Sequence, residues 1–249
     1  MAESLRASAL ARGKPSPVCV KVQDSVRNAL EIMKAHNFSQ LPILDGGNKC
    51  VGIITSENIA YKLLEDQELF DKPVNECVAK CLHVEGRADL VDYLDAMAEK
   101  GCLLIGSSNY IESIITNYDV LKLFRKIAEP FAMIYEIETN LRNFVQRHIP
   151  DRSDREEAIS SLLGKMRGDR FAKGSTLDTD DLDFEELRQL IIYNWEKFAI
   201  PSDRDYVNDL LESIRGIRNK VCHFRGPLTV EELDKLKDMR KQVMRITKL

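Results

Sequence analysis

Near the carboxy-terminal end of this 249-residue sequence one histidine stands among several cationic side chains. Within Ile-Arg-Gly-Ile-Arg-Asn-Lys-Val-Cys-His-Phe-Arg-Gly, residues 214–226, Arg215, Arg218, Lys220 and Arg225 accompany His223. Imidazole titrates near neutral pH, so it can take the proton of a ribose 2′-hydroxyl or, as imidazolium, give one to a leaving 5′-oxygen. A guanidinium stays charged and suits bidentate contact with a phosphate whose charge grows in the transition state. RNA cleavage without a metal is the chemistry such a set allows. The plainer alternative is a histidine capping a helix C-terminus and an arginine held in a structural ion pair.

A second pattern occurs twice. Gly-Ile-Ile-Thr-Ser-Glu-Asn-Ile (52–59) aligns with Ser-Ile-Ile-Thr-Asn-Tyr-Asp-Val (113–120), pairing Thr55 with Asn58 and Thr116 with Asp119. A strand that feeds a helix here exposes backbone N–H groups and a helix dipole that favour phosphate, while a short carboxylate can hold a ribose diol. Each Thr is also a competent helix cap, and the duplication is what favours a ligand. Cys77, Cys81 and His83 are close in sequence, but no second ligand pair has zinc-like spacing. The six cysteines, with no Cys-x-x-Cys pair, are read as buried structural thiols, and no metal site is expected. The carboxylates Asp178, Asp180, Asp181 and Asp183 are read as a solvated loop or helix caps.

These residues need elements to position them. Residues 18–22, 40–44 and 50–54 have strand character; a helix starts after Asp24 or Ser25 with Val26, Ala29, Leu30 and Met33 inward, and another spans 57–64. The order is β-α-β-β-α. It recurs about sixty residues later, with strands at 81–84, 102–105 and 113–116 and a helix at 89–100. From Ile127 the strand runs cease. Phe131, Ile134, Ile137, Leu141, Phe144 and Val145 form a helical stripe. Further helices are expected at 156–166, 184–198, 203–221 and 229–248, with a loop in the polar stretch 150–183; Thr229 and Glu232 form a capping box.

Composition narrows the classes. With 44% hydrophobic and 31% charged residues the chain is of globular type, and at roughly 100–200 residues per domain it fits one large domain or two modest ones. A net charge of −4 excludes coating of nucleic acid by bulk charge. No apolar run reaches the ~18–20 residues of a membrane span, and the first twelve residues lack the apolar core of a secretory signal. A cytoplasmic protein with no membrane association is expected.

Residues 15–127 resemble a tandem pair of CBS domains, through the Gly-Ile-Ile-Thr-x-x-Asp type junctions and Leu41-Pro42-Ile43-Leu44-Asp45 in the preceding strand. The resemblance implies an adenine nucleotide (AMP, ADP, ATP or a cyclic dinucleotide) bound between the repeats as a regulatory ligand. It places Thr116 and Asp119 on phosphate and ribose in one cleft and Thr55 and Asn58 along the other. Val22, Ser39 and Leu41 would contribute to base pockets. Asn58 stands where the family usually has Asp, and Ser113 where it has Gly. Residues 128–249 resemble the HEPN superfamily of α-helical ribonucleases and nucleotide-binding proteins, through the Arg-x4-His string Arg218-Asn219-Lys220-Val221-Cys222-His223. That likeness implies His223 as acid/base, Arg218 on the phosphate, Asn219 as a positioning residue, and Arg215, Lys220 and Arg225 toward RNA.

The expectation is therefore an α/β plus all-α chain: a flexible lead at 1–14, repeats at 15–70 and 71–127, and a helical domain at 128–249. It would act as a homodimeric, nucleotide-responsive, metal-independent endoribonuclease needing no cofactor for catalysis, of toxin or defence type, with an antitoxin or partner protein. The alternative is a non-catalytic regulatory or RNA- or partner-binding protein whose repeats sense a nucleotide or serve as a dimer scaffold.

Overall fold

Alternation of short apolar strands and capped helices gives two sheets of identical topology in the first half of the chain. The computed structural model describes residues 5–167 and 177–248; part of the loop expected within 150–183 lies outside these. Two compact units divide between Phe124 and Arg125.

In the first repeat β1 (Val20–Lys21) pairs parallel with β2 (Gln40–Leu44), which pairs antiparallel with β3 (Cys50–Thr55), Leu41 opposite Ile54. The strand expected over 18–22 is shorter because Asp24 accepts the Lys21 N–H, although Val22 still donates to the Leu44 carbonyl. Asp45 builds the β2–β3 turn by accepting from the N–H groups of Gly47 and Lys49. With α1 (Ala7–Ala11) preceding, α2 (Val26–His36) is capped by Ser25 and ends on left-handed Asn37, and α3 (Ser56–Glu65) is capped by Thr55. Val26, Ala29, Met33, Leu41, Ile43, Ile54 and Ile59 close one core.

The second repeat has β4 (His83–Val84), β5 (Cys102–Ser107) and β6 (Tyr110–Thr116) in the same order, with His83 opposite Leu104 and Leu103 opposite Ile115. The hairpin is longer than the sequence suggested, and bulges at Gly106 (φ +113°), where a Cβ would lie 2.3 Å from the Tyr110 carbonyl oxygen. The helix expected over 89–100 divides into a tight turn, Leu90–Tyr93, and α4 (Leu94–Lys100). Residues 5–14 are not a loose lead. Ala7 and Ala11 of α1 are buried with Val84, Leu90, Leu103 and Ile115, and the N–H groups of Ala7 and Ser8 donate to Ala88 and Gly86. Small side chains let that helix approach the sheet closely, a feature invisible to a search for large apolar residues.

Residues 117–148 form one helix, α5 (Asn117–His148), which runs through the boundary that the sequence suggested at residue 127. Pro130 lies inside it, buried; a proline removes a single helical N–H bond, and burial of the long apolar stripe offsets the cost of about 3 kcal/mol. In the second unit Ile134, Ile137, Leu141, Phe144 and Val145 of α5 pack with α6 (Arg152–Arg167), α7 (Phe184–Tyr193), α8 (Trp195–Phe198), α9 (Arg204–Cys222) and α10 (Val230–Ile246). The helix expected over 184–198 breaks at Asn194 and ends on left-handed Ala199. Asp183, Asp203 and Thr229 cap α7, α9 and α10; Asp178 caps the short turn Thr179–Asp181.

Candidate functional site

The strand-to-helix junctions of the two repeats share a backbone but differ in charge. In the first, Thr55 Oγ1 accepts the Asn58 N–H at 3.0 Å, an ordinary helix cap. In the second, Asp119 turns back on the strand. Its Oδ2 accepts the Thr116 N–H and the Thr116 hydroxyl, both at 2.8 Å, and lies 2.6 Å from the Lys14 ammonium. Lys14 also donates to the Ile114 carbonyl at 2.9 Å. Burial raises the Asp119 carboxyl, and the bonds from Lys14 and Thr116 outweigh it, holding the group below the usual carboxylate value. Oδ1 takes no hydrogen bond among the described residues. The result is a fixed, ionised carboxylate in the first turn of α5 with one oxygen open, suited to accept from a ribose hydroxyl.

The expected base-pocket residues differ in exposure. Val22 is half-buried against the first core and Ser39 is exposed, its carbonyl accepting the Ser56 N–H at 2.9 Å. The Leu41 side chain is fully buried in the first repeat's core, so only its backbone is available to a ligand. Lys14, which completes the Asp119 junction, escaped the sequence reading because it lies about a hundred residues from its partners.

In the second unit α9 ends at Cys222, His223 is the C-cap residue, and Phe224 (φ +53°) takes a left-handed position just after it. Phe224 tilts against Phe131 at 6.0 Å. The cations that the sequence grouped as a basic patch are mostly paired. Arg218 donates to Glu138 at 3.2 Å, and Glu138 also holds Arg142 at 3.1 Å. Arg215 pairs with Glu212 and Glu185, and Lys220 with Glu232 at 2.6 Å. The hydrogen bond from Lys220 keeps the Glu232 carboxyl below its usual value. His223 and Arg225 are exposed and have no side-chain partner among the described residues. Asn219 accepts a 3.4 Å bond from Arg218. The geometry is that of a capping histidine and an ion-paired arginine, the plainer of the two readings.

The CBS domain family model matches residues 13–65. Over 112 residues, 43% of this chain, the sequence is 28% identical to an L-aspartate semialdehyde sulfurtransferase from Methanocaldococcus jannaschii, of which it covers 21%. Over 65 residues, 26% of this chain, it is 35% identical to an inosine-5'-monophosphate dehydrogenase from Aquifex aeolicus, of which it covers 13%. The chain thus spans a minor part of these relatives. Among solved structures, a CBS-domain containing protein from Agrobacterium tumefaciens matches 48% of this chain and 92% of its own, at 16% identity and a TM-score of 0.45. A conserved protein from Pyrococcus horikoshii matches 49% and 94%, at 22% identity and a TM-score of 0.43.

Proposed function

We propose that this CBS-domain protein is a regulatory sensor of an adenine nucleotide, which binds through its ribose to Asp119 and through its phosphate to the α5 N-terminus at Thr116. The Asp119 carboxylate carries this reading: two bonds from Thr116 orient it, and one oxygen is left for a hydroxyl. Asp119 stands in the first turn of a helix whose later residues belong to the core of the second unit, so the helical half is the part whose behaviour the ligand would change. A homodimer fits such a role. Asn58 offers the first repeat an uncharged counterpart and a weaker grip.

Calorimetry with adenosine, AMP, ADP, ATP and cyclic dinucleotides tests the proposal. One ligand is expected to bind, with affinity falling about tenfold or more in Asp119→Ala, the loss of about 1.5–3 kcal/mol that a hydrogen bond to a charged group represents. Silence across the panel, or full affinity in Asp119→Ala, refutes it.

A second reading, metal-independent cleavage of RNA by His223 with Arg218, rests on the exposure of the unpartnered imidazole. It requires Arg218 to serve a phosphate while held by Glu138. Cleavage of total RNA in EDTA, abolished by His223→Ala, is its expected result; no cleavage at any nucleotide level leaves the sensor as a non-catalytic regulator.

A further inference from the structure

The fold brings Cys50 to two ligating side chains, Cys81 and His83, that are close to each other in sequence. Cys50 opens β3 of the first repeat, while Cys81 and His83 lead into β4 of the second. Reciprocal backbone bonds between Ile53 and Ala79, at 3.0 and 2.8 Å, align these two segments, and the Cys50 N–H donates to the Ser108 carbonyl at 2.6 Å. As a result one donor atom from each of Cys50, Cys81 and His83 lies within 4.8 Å of the others. Cys77, adjacent in sequence, belongs instead to the core of the first repeat.

We propose that Cys50, Cys81 and His83 bind a zinc ion that ties the two repeats together. Zinc bonds of about 2.3 Å to sulfur and about 2.0–2.1 Å to nitrogen, at a tetrahedral angle, separate sulfur from nitrogen by about 3.6 Å and sulfur from sulfur by about 3.8 Å. The Cys81 Sγ to His83 Nε2 distance is 3.5 Å, and the whole group needs only a small contraction to close on an ion. Two thiolates and a neutral imidazole select a borderline-soft divalent cation over calcium or magnesium.

The surroundings agree. Cys50 and Cys102 lie in an apolar cluster with Ile53 and Leu104, flanked by Leu44, Ala79 and Ile114. Two thiolates with one Zn2+ carry no net charge, so the complex suits an apolar shell, and a water supplies the fourth ligand. Forming it releases two thiol protons to solvent. His83 also needs an explanation that packing does not give. Its Nδ1 is buried with no hydrogen-bond partner, while Nε2 faces the Cys81 sulfur at 3.5 Å, where a metal would give the half-buried ring a role.

The test uses the full chain, purified reduced, stripped with a chelator and dialysed against Zn2+. The expected stoichiometry is one zinc per chain, with affinity reduced by more than about 10-fold in Cys81→Ser and in His83→Gln and unchanged in Cys222→Ser. Co2+ in place of zinc should give a thiolate-to-metal charge-transfer band and the visible bands of a tetrahedral site. In the unsubstituted chain, which needs no variant to fold, zinc should protect two thiols from a cysteine reagent. No bound zinc, no protection, or zinc fully retained in Cys81→Ser would each overturn the proposal.

Discussion

Replacing Lys14 by methionine removes an ammonium while keeping the length of its stem, and so isolates what that charge does at Asp119. Lys14 Nζ lies 2.6 Å from Asp119 Oδ2, with side chains 27% and 18% exposed. An exposed ion pair contributes about 0.2–1 kcal/mol and a hydrogen bond to a charged group about 1.5–3 kcal/mol, so this half-buried pair contributes about 1–2 kcal/mol. A ribose diol that takes both carboxylate oxygens must displace the ammonium, because Oδ2 already accepts twice from Thr116. In Lys14→Met that cost disappears. At about 1.4 kcal/mol per factor of ten, adenosine is expected to bind about 5–30-fold more tightly than to the unsubstituted chain. For AMP the gain should be smaller, since the displaced ammonium is free to meet the phosphate. Parallel titrations of adenosine and AMP into both proteins measure the difference, and a melting curve of the ligand-free variant should show the lost 1–2 kcal/mol as a drop of several degrees. Adenosine affinity that stays the same or falls in Lys14→Met would refute the argument that Lys14 competes for the ribose carboxylate.

Gly52→Ala should destabilise the first unit by about 1–3 kcal/mol in a urea titration, because the new Cβ would lie 2.5 Å from the Ala79 carbonyl oxygen and 2.5 Å from Val78 Cγ1. Ser113→Ala should do the reverse: its hydroxyl is buried with no partner, and removing it is expected to raise stability by about 1 kcal/mol. Phe144→Ala, at a position 1% exposed and stacked 5.3 Å from Phe198, should cost the helical unit about 3–5 kcal/mol, read from its denaturant midpoint. Acid should unfold the chain earlier than neutral pH. Hydrogen bonds from Arg240 and Arg155 hold Glu136 and Asp178 below their usual values, as Lys14 and Thr116 do for Asp119 against its burial. A lowered folded value means stability that is complete above the ordinary carboxylate range of about 3.9–4.3 and lost as pH falls through the folded values. Thermal midpoints should therefore be flat from about pH 5 to 7 and drop below about pH 4; a midpoint that rose on acidification would contradict the assignment.

The doubled strand-turn-helix order was legible because each copy writes it locally: Gly52-Ile-Ile-Thr55 and Ser113-Ile-Ile-Thr116 each carry apolar strand residues and a capping threonine within a few positions. The helical stripe from Ile134 to Val145 was legible for the same reason. What escaped was long-range. The Arg215, Lys220 and Arg218 charges looked concentrated because they share one helix, but Glu138 on α5, Glu185 on α7 and Glu232 on α10 arrive from elsewhere in sequence to neutralise them. Likewise Cys77 looked like the partner of Cys81 by proximity, while β3 delivers Cys50. The helix α5 also continues through Pro130, where propensity disfavours it, because burial of the apolar stripe overrides that preference.

The two repeats diverge at equivalent positions, and that divergence sets the charge and the partners of each junction. In the first repeat the Ile53 carbonyl accepts the Ala79 N–H at 2.8 Å, so the segment entering the second repeat lies across β3, and only glycine fits at position 52 beneath it. The corresponding carbonyl of the second repeat, on Ile114, accepts instead from the Lys14 ammonium at 2.9 Å. Pro15 and Pro17, in the segment entering the first repeat, have no N–H to offer, so a side chain takes the place of a backbone donor. Position 113 then tolerates a Cβ, and serine stands there. The same ammonium reaches Asp119, which makes the charged junction the one whose carboxylate is occupied before any ligand arrives. Charge and occupant thus come as a pair at the second junction, and Asn58 at the first has neither. A ligand that takes both oxygens of the Asp119 carboxylate would displace the Lys14 ammonium, whereas a ligand at Asn58 displaces no such pair. Of the two junctions, the one at Asp119 is therefore the one where a bound ligand would meet the Lys14 ammonium.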